Sequence, residues 1–424
     1  MPTSAAAAPK NWAGNITFAP ARVHRPAAVG ELQEIVAGAE RVRALGTGHS
    51  FNRVADTEGD LVRLDGLPHR FEPDPASATV TVAAGMRYAE VAGLLHAEGF
   101  ALANLASLPH ISVAGACATG THGSGDTQQS LAGAVAALDI VGPGGEIRRL
   151  SREEDADRLL GAAVSLGALG VVVGVTLDIE PAYEVAQWVY TGLPLDALAD
   201  GFGELFSAAY SVSVFTDWRE EGMVWLKRRT DREGPGHPGD RWLGARRAVR
   251  PHHPVPGMPP EYCTRQGGVP GPWHERLPHF RPDFTPSRGE ELQSELLLPR
   301  DAAAEASRAL RGLGDRIAPV LQVSEVRTVA ADGPWLSPAH GRDSVAFHFT
   351  WLPDAVAVLP VIAEVEAALT PLGARPHWGK LTAADPRTLP HRYGRAEDFR
   401  RLMRECDPAG VFRNAFLDGL WPTG

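Results

Sequence analysis

Cysteine is scarce in this sequence, and long runs of basic residues are lacking. The 424 residues include three cysteines, which are widely spaced and odd in number: Cys117, Cys263 and Cys406. Such a set predicts neither a disulfide framework nor a zinc site, and it fits a reducing compartment. The formal net charge of −10 argues against a nucleic-acid-binding protein. We therefore expect a cytoplasmic protein without a nucleic-acid partner.

Long apolar segments are also lacking. No stretch is expected to reach the length that a membrane-spanning helix requires. The first ten residues have neither a basic start nor an apolar core of signal-peptide length. The hydrophobic content of 44% and the charged content of 22% are ordinary for a globular chain, and the length allows two or three domains. We expect no membrane partner and a monomeric protein.

Several motifs of well-known chemistry are absent from the sequence. We find no internal repeat, no P-loop and no Gly-x-Ser-x-Gly nucleophile elbow. His252 and His253 are adjacent, but nothing near them has the spacing of metal ligands. His274 and His279 are one residue too far apart for a zinc-protease helix, and a proline lies between them. The sequence therefore predicts no metal site.

The most informative stretch is a glycine-rich loop. A short alternating strand over residues 41–45 runs into residues 46–51, with the sequence GTGHSF. Glycine lets the backbone turn sharply and approach a ligand, and successive loop N–H groups can form an anion nest that suits a diphosphate. Phe51 occupies the place of the third glycine in a dinucleotide fingerprint, so the loop is not that motif. An ordinary turn is the alternative, although His49 adds a nucleophilic ring nitrogen.

A second stretch, residues 103–125, consists mostly of Gly, Ala, Ser and Thr. Small side chains let a large planar ligand lie close to the backbone while hydroxyl and N–H groups remain available. A tightly packed helix and loop without any ligand would have the same composition. From the residues alone, both interpretations stay open.

Hydrophobic periodicity predicts a mixture of helices and strands. We expect helices over residues 28–40, 88–98, 153–165, 302–313, 361–369 and 396–405. We expect strands over residues 61–64, 79–84, 138–141, 146–150, 170–179, 321–328 and 345–351, with a hairpin turn at 142–145. A domain boundary is expected near residues 182–184. Residues 230–289, here called the irregular insertion, are rich in Pro, Gly, Arg, His and Trp and predict a long excursion over a second domain.

Two of these strands carry polar residues on one face. Glu325 and Arg327 are two residues apart, and so are His348 and Thr350, so each pair shares a face of its strand. The opposite face of the second strand is aromatic and is expected in the core. The polar face would then front water, as an ordinary surface pair, or line a polar cavity.

Six segments together resemble one family, the FAD-containing flavoproteins of the vanillyl-alcohol-oxidase type. Within that family the chain most resembles alditol oxidases, which are related to sugar-1,4-lactone oxidases. The resemblance runs nearly end to end, although the irregular insertion shows none of it. The segments are residues 11–15 (NWAGN), 46–51, 107–125, 325–327 (EVR), 377–380 (HWGK) and 407–414.

This resemblance implies an α+β fold with two domains. Residues 15–182 would form a two-part FAD-binding domain of the vanillyl-alcohol-oxidase (PCMH) type. Residues 183–385 would form a substrate domain with a large sheet, including the irregular insertion. Residues 386–424 would return to the FAD-binding domain.

The resemblance also implies how FAD is held. His49 matches the position that is bonded covalently to the methyl group at flavin C8 in alditol oxidases. Such a bond raises the flavin potential and prevents loss of the cofactor. The residues expected to contact FAD are Gly46, Thr47, Gly48, His49, Ser50, Phe51, Ser107, Val113, Gly115, Thr119, Thr121, His122, Gly123, Val175, His377 and Asn414.

A polyol substrate would meet the polar strand face. By resemblance, Glu325, Arg327, His348 and Lys380 are catalytic, and they bind the substrate together with Ser107 and Thr350. Fixed positive groups at Arg327 and Lys380 would stabilise a developing alkoxide. Either His348 or Glu325 would be the base, and the sequence leaves this choice open.

The implied reaction is oxidation of the terminal hydroxyl of an alditol such as xylitol, sorbitol or glycerol to the aldose. Hydride goes to flavin N5, and O2 takes the electrons to give H2O2. One alternative is a sugar-1,4-lactone oxidase or dehydrogenase, which shares the Glu-x-Arg and His-Trp-x-Lys patterns. A second alternative, a binding protein without chemistry, predicts a degraded polar face, whereas Glu325, Arg327, His348 and Lys380 are all present.

Overall fold

The computed structural model describes residues 8–232, 238–284 and 290–422. Within these ranges the chain forms sheets of three, five and ten strands, a pair of two-residue strands and eleven α-helices. Helices and strands are mixed along the chain, and the large sheet is antiparallel. The predicted α+β fold class is therefore confirmed.

The glycine-rich loop follows the edge strand of a three-stranded parallel sheet. This strand, Val42–Leu45, pairs with Asp60–Arg63, which in turn pairs with Arg22–His24. The helix Val29–Ala37 packs on the sheet through its buried Leu32. The loop therefore leaves the carboxyl end of a rigid parallel strand, where open sheets commonly bind ligands.

A five-stranded antiparallel sheet completes the first part of the chain, and it includes the predicted hairpin. Its strands, in spatial order, are Phe71–Asp74, Thr79–Ala83, Val171–Asp178, Val135–Val141 and Ile147–Ser151. The accompanying helices are Tyr88–Ala97, Val113–Ala118 and Ala156–Ala163. The last is shorter at both ends than the predicted helix over 153–165, and Asp155, just before it, is not helical. Glu180–Pro181 pairs with Phe100–Ala101.

The ten-stranded sheet begins directly after residue 182, where we expected a domain boundary. Its spatial order is Arg241–Trp242, Ala245–Arg247, Glu184–Pro194, Glu221–Arg229, Ser211–Thr216, Leu321–Val329, Ser344–Trp351, Leu292–Pro299 and Arg375–Pro376. Gly271–Pro272 pairs separately with Glu184–Pro194. Four of the longer strands, at residues 184–194, 211–216, 221–229 and 292–299, were not predicted from the sequence. These strands are buried on both faces, so their polar and apolar residues do not alternate cleanly.

The two faces of the large sheet differ in character. One face is an apolar core that includes Phe347, Phe349 and Trp351, as the alternation predicted. Helices Leu195–Asp200, Phe202–Ser207, Ala303–Gly312, Gly314–Ile317 and Ala355–Leu369 accompany this core. On the opposite face, Glu325 stands directly across from His348 in the strand register. The two predicted polar pairs therefore share one surface.

The described part of the irregular insertion covers this polar face. It adds the short strands Arg241–Trp242, Ala245–Arg247 and Gly271–Pro272 to the sheet. Its Cys263 and Phe280 pack against Phe215 and Trp225 of the sheet. The insertion thus forms the wall opposite the polar strands, in agreement with the predicted excursion over the second domain.

The end of the chain packs on the first part of the structure. Helix Ala396–Cys406 contacts helix Ala156–Ala163, and its Phe399 and Leu402 belong to the same core as the five-stranded sheet. Helix Ala415–Leu420 follows and is capped by Asn414, whose side chain accepts from the N–H of Leu417. Residues after 385 therefore return to the glycine-loop side of the molecule.

One helix corrects a sequence expectation. In the described residues, Ala355–Leu372 is long and apolar enough to cross a membrane by length and composition alone, so the prediction that no stretch reaches that length is wrong. The periodicity placed the helix start at residue 361, whereas Asp354 caps it before Ala355. Residues such as Ile362 pack in the core under the large sheet. A core helix passes the same test, so this finding is weak evidence for a membrane span.

Asn414 predicts a measurable stability effect. Its amide nitrogen donates to the carbonyl oxygens of Arg53, Val54 and Asp56 while its oxygen caps the last helix. Asn414→Ala removes the cap and three hydrogen bonds to main-chain carbonyls, although Val54 O keeps its bond from Arg43 and Arg53 O keeps its bond from the N–H of Asp56. We expect a loss of about 2–3 kcal/mol in the free energy of unfolding by urea. Asp354→Ala, which removes an exposed cap only, is the control and should cost about 1 kcal/mol. Equal losses in the two variants would contradict this role.

Candidate active site

A single cavity of about 1000 Å³ brings the informative segments together. The glycine-rich loop and the small-residue stretch form one end, and the polar strand face forms the other. The irregular insertion supplies an apolar wall through Val255, Met258, Tyr262, Phe280 and Phe284. The cavity therefore joins a region suited to a long planar ligand with a region lined by ionisable side chains.

Close packing between two loops shapes the first end. A side chain at Gly46 would overlap the hydroxyl of Ser112, and Gly48 has a φ of +70°, a region that favours glycine. The hydroxyl of Thr47 accepts a hydrogen bond from the N–H of Ser112 at 3.2 Å. The small residues therefore keep backbone at the cavity surface, where bulkier side chains would fill the space.

His49 is half-buried at this end, with its ring nitrogens inaccessible to solvent and its ring stacked on Trp12, the centroids 5.0 Å apart. Among the described residues, neither ring nitrogen of His49 has a hydrogen-bond partner. Burial, and then the nearby charges of His110 and Arg87, lower the pKa of His49 to about 4. The ring is therefore neutral at pH 7 and has a free lone pair, as a nucleophile requires.

Most of the residues expected to contact FAD line the cavity. These are Gly46, Thr47, Gly48, His49, Ser50, Phe51, Ser107, Gly115, Thr119, Thr121, His122 and His377. The unpartnered ring of His49 and the backbone surface left by the small residues fit a flavin dinucleotide. The residues of this end would therefore hold FAD.

Four expected contact residues, Val113, Gly123, Val175 and Asn414, are not among those that line the cavity, and their contact with FAD stays a prediction. Val113 and Val175 lie in the apolar core. Gly123 packs against Asn104 and the carbonyl of Leu105, which leave no room for a side chain. Asn414 caps the last helix. All four support neighbouring residues, and their types alone did not reveal this.

The polar end of the cavity is organised around a carboxylate that the sequence analysis missed. Glu295, on strand Leu292–Pro299, is buried and accepts from Arg327 Nη2 at 2.5 Å and from Lys380 Nζ at 2.7 Å. His122 Nε2 lies 3.2 Å from the same carboxylate. Burial alone would raise the pKa of Glu295, but Lys380 and Arg327 outweigh it and hold that pKa well below its usual range. Glu295 is therefore the ionised counter-ion of both cations.

The glycine-rich loop holds Lys380 in place. The N–H of Phe51 donates to the carbonyl of Gly379 at 2.7 Å, and the Asn52 amide donates to the carbonyls of Trp378 and Lys380. Burial lowers the pKa of Lys380, although Glu295 opposes that shift. The segment 377–380 is thus fixed to the same loop that carries His49.

The four predicted catalytic residues all meet in this cavity together with Ser107 and Thr350. Arg327 Nη1 donates to Ser107 Oγ at 3.2 Å, which links the large sheet to the small-residue stretch. Burial raises the pKa of Glu325, but Arg327 and His279 together hold it below its usual value. Burial, followed by the charge of Lys380, lowers the pKa of His348 well below its usual value. At pH 7 the site therefore contains an ionised Glu325 and a neutral His348.

Two further contacts were missed from the sequence. His348 Nε2 lies 3.1 Å from Gln293 Oε1, and Gln293 Nε2 donates to Glu291 at 2.5 Å. His279, in the irregular insertion, contacts Glu325. Residues 292–298 (LQSELLL) do not alternate cleanly, so the sequence carried no clear signal for Gln293 and Glu295. His279 had no signal either, because only the tertiary fold brings the insertion to the sheet.

The described residues contain no group of three or more His, Cys, Asp or Glu side chains arranged to hold a metal ion. The neighbouring His252 and His253 differ in their surroundings. His253 packs near Phe280, with its ring centroid at 5.5 Å.

The ion cluster around Glu295 predicts a pH-dependent stability effect. Glu295→Gln leaves the buried Arg327 and the partly buried Lys380 without this shared counter-ion, so we expect a loss of about 3–5 kcal/mol at pH 7 by chemical unfolding. Because the folded pKa of Glu295 is depressed, its contribution is present above its unfolded value near 4.5 and is lost as pH falls through the folded pKa. The difference between variant and wild type should therefore shrink in acid.

Glu366→Gln is the matched control for this experiment. Glu366 is also buried, but burial raises its pKa, and its main-chain partner is the N–H of Ala383. An amide oxygen can accept that bond, so we expect a change near zero at pH 7. Equal losses for the two glutamates would refute a special role of Glu295 as counter-ion.

Comparison with known proteins agrees with this geometry. Residues 20–151 match the FAD binding domain family, and residues 290–420 match the D-arabinono-1,4-lactone oxidase family. The chain is 55% identical to an alditol oxidase of a Streptomyces species, over 97% of this chain and 98% of that protein. It is 28% identical to an L-gulono-1,4-lactone dehydrogenase of Mycobacterium tuberculosis, over 96% and 97% of the two chains.

The fold also resembles solved structures. The crystal structure of cholesterol oxidase from B. sterolicum superposes with a TM-score of 0.78 at 16% identity, covering 98% of this chain and 97% of that one. A likeness at this identity concerns the fold alone. The high identity to the Streptomyces enzyme over nearly the whole length shows the family. This chain belongs to the alditol oxidases, within the flavoproteins that carry an FAD-binding domain of the vanillyl-alcohol-oxidase type.

Proposed function

We propose that this protein oxidises the terminal hydroxyl of an alditol, such as xylitol or sorbitol, to the aldose. The supporting observation is a cavity that joins the neutral His49 to a polar wall containing Glu325, Arg327, His348 and Lys380. A polyol carries many hydroxyls and no charge, so paired donors and acceptors can hold it. FAD, when bound, supplies the acceptor for the hydride and passes the electrons to O2 to give H2O2.

His348 is the base in this proposal. Gln293 directs its amide nitrogen to the carboxylate of Glu291, so its oxygen accepts from the Nε2–H of His348. The unprotonated nitrogen of the neutral ring is then Nδ1, which takes the proton of the substrate hydroxyl. Glu325 is the less suitable base, because its Oε1 already accepts from His279, and the charges of Arg327 and His279 stabilise its ionised form.

The remaining side chains bind and stabilise charge. As the hydroxyl loses its proton, negative charge develops on oxygen, and Arg327 and Lys380 provide fixed positive groups. Glu295 keeps both cations in place without moving during the reaction. Ser107 and Thr350 supply hydroxyls for the rest of the polyol. These groups would be left unpaired by a substrate that lacks the matching hydroxyls, which gives selectivity.

A lactone substrate is the competing function. Residues 290–420 match a lactone-oxidase family, and a relative at 28% identity is named as a lactone dehydrogenase. The relative at 55% identity, named as an alditol oxidase, favours the alditol. Anaerobic addition of xylitol or of L-gulono-1,4-lactone to the yellow protein decides between them. Bleaching by the lactone alone would refute the alditol proposal.

We also propose that His49 bonds covalently to the flavin. The support is its neutral ring with two buried, unpartnered nitrogens. After acid precipitation, we expect the yellow colour of the wild type to stay in the pellet, as a covalent bond requires. His49→Ala should release nearly all of it to the supernatant. His391→Ala is the control, since His391 is exposed, does not line the cavity and should leave the linkage intact.

Colour in the supernatant of the wild type would contradict the covalent bond. It would leave the FAD site itself intact, because the precipitation assay separates attachment from binding. If the yellow colour of His49→Ala stayed in the pellet, the flavin would be attached to another residue.

The assignment of the base gives a separate prediction. We expect His348→Gln to lower the rate of flavin reduction by alditol by about 10²- to 10⁴-fold, the usual contribution of a general base. Glu325→Gln should mainly raise KM. Since the pKa of His348 lies well below 6.5, the wild-type rate should stay flat as pH falls from about 8 to 6. Rapid-mixing spectroscopy measures these rates, and a larger rate loss in Glu325→Gln would reverse the assignment.

A further inference from the structure

A fully buried lysine lies behind the polar wall of the cavity. Lys227 is on strand Glu221–Arg229 of the large sheet and is completely inaccessible to solvent. Its ammonium donates to the carbonyls of Leu277 and Pro278 and to His279 Nδ1, the last at 3.0 Å. Three donors thus meet three acceptors, which is the full capacity of a protonated lysine.

His279 connects this lysine to the cavity. Because Nδ1 accepts from Lys227, the ring proton is on Nε2, which donates to Glu325 Oε1 at 2.7 Å. Edge contacts with the rings of Phe215 and Trp225, at 5.3 and 5.1 Å, fix the ring plane. The result is a directed chain of hydrogen bonds from Lys227 through His279 to Glu325.

The backbone of His279 is fixed as firmly as its ring. Its N–H donates to the carbonyl of Ser107 at 3.1 Å, and its carbonyl accepts from the N–H of Thr264 at 2.9 Å. Ser107 in turn accepts from Arg327. The irregular insertion is therefore attached to the substrate wall at the residue that contacts Glu325.

Burying the charged groups of this hydrogen-bonded chain costs free energy that simple apolar packing would not. Burial lowers the pKa of Lys227 to about 7 and that of His279 to about 4, so the sheet holds an ammonium group that desolvation disfavours. The other ionisable groups that face the chain are Cys263 beside Lys227, and Arg327 and His348 beside Glu325. An apolar pair would fill the same space without this cost.

We propose that Lys227 and His279 are positioning residues that act through Glu325. They hold its carboxylate in one orientation, so that its Oε2 accepts a hydrogen bond from a substrate hydroxyl next to the one that is oxidised. Glu325 Oε2 is 3.6 Å from Arg327 Nε, longer than a hydrogen bond, so Arg327 does not fix this oxygen in place of His279. The proposal rests on the proposed alditol oxidation.

A double-mutant cycle tests this proposal. The variants are His279→Leu, Glu325→Gln and the double variant, with His279→Gln as the matched control. A glutamine can accept from Lys227 through its oxygen and donate to Glu325 through its nitrogen, whereas leucine can do neither. Flavin absorbance and thermal unfolding show that each variant is folded and loaded. The readouts are kcat, KM and the pH profile of kcat/KM for xylitol.

We expect His279→Leu to raise KM by roughly 10- to 100-fold, as for loss of one hydrogen bond to a charged group. His279→Gln should stay within a few-fold of the wild type. His279→Leu should also add an acid limb to the profile of kcat/KM, because Glu325 loses a donor to its ionised form. The double variant should be no worse than Glu325→Gln alone, because His279 Nε2 lies 2.7 Å from that carboxylate and its other side-chain neighbour, Ser213 Oγ, is farther away at 3.3 Å.

Lys227→Met cuts the same chain at its other end and keeps the test decisive if His279→Leu does not fold. Its effect on KM should also vanish in the Glu325→Gln background. The proposal would be overturned if the fold-increases in KM of the single variants multiplied in the double variant. Equal impairment by His279→Gln and His279→Leu would also overturn it. If a lactone and no polyol reduces the wild type, the alditol function is wrong, and the same cycle measured with the lactone still decides the positioning role.

Discussion

The buried carboxylate of Glu295 is the interaction on which the site depends. It neutralises Arg327 and Lys380, which come from distant parts of the chain and would repel each other without it. Lys380 is also fixed to the glycine-rich loop through the segment 377–380, and Arg327 bonds Ser107. One carboxylate therefore joins the large sheet, the small-residue stretch and the loop that carries His49. The positions of the cofactor end and the substrate end are set by the same contacts.

One face of the large sheet contributes to the apolar core, and the other face carries the ionisable side chains of the site. The aromatic face buries Phe347, Phe349 and Trp351 under helices and supplies much of the apolar core. The alternation of a strand then forces the intervening residues onto the opposite face. Covering that face with the irregular insertion removes its charged side chains from bulk water, which strengthens their mutual interactions and shifts their pKa values. The insertion thus turns a polar strand surface into an enclosed site.

The cofactor end is constructed differently, from backbone and small side chains. Gly46 and Ser112 approach so closely that no larger residue fits, and the hydroxyl of Thr47 links the two loops. His49 is the exception, with a bulky ring held by stacking on Trp12 and with no polar partner among the described residues. A rigid surface with one nucleophilic ring beside it suits a large planar ligand, because little conformational entropy is lost when the ligand binds.

The sequence alone determined the local features of this protein. Period-two alternation predicted which residues of strand 344–351 face the core. The loop at residues 46–51, together with the five other segments of the resemblance, indicated the FAD-containing family. Tertiary structure alone decided how the site is completed. Glu295 and Gln293 lie on strand 292–299, whose mixed polar and apolar pattern did not predict a strand. His279 lies in the irregular insertion, which has no periodicity. The tertiary structure also places Val113 and Val175 in the apolar core and Asn414 at the cap of the last helix. Contacts between segments far apart in sequence depend on packing and shared charges, which no local pattern records.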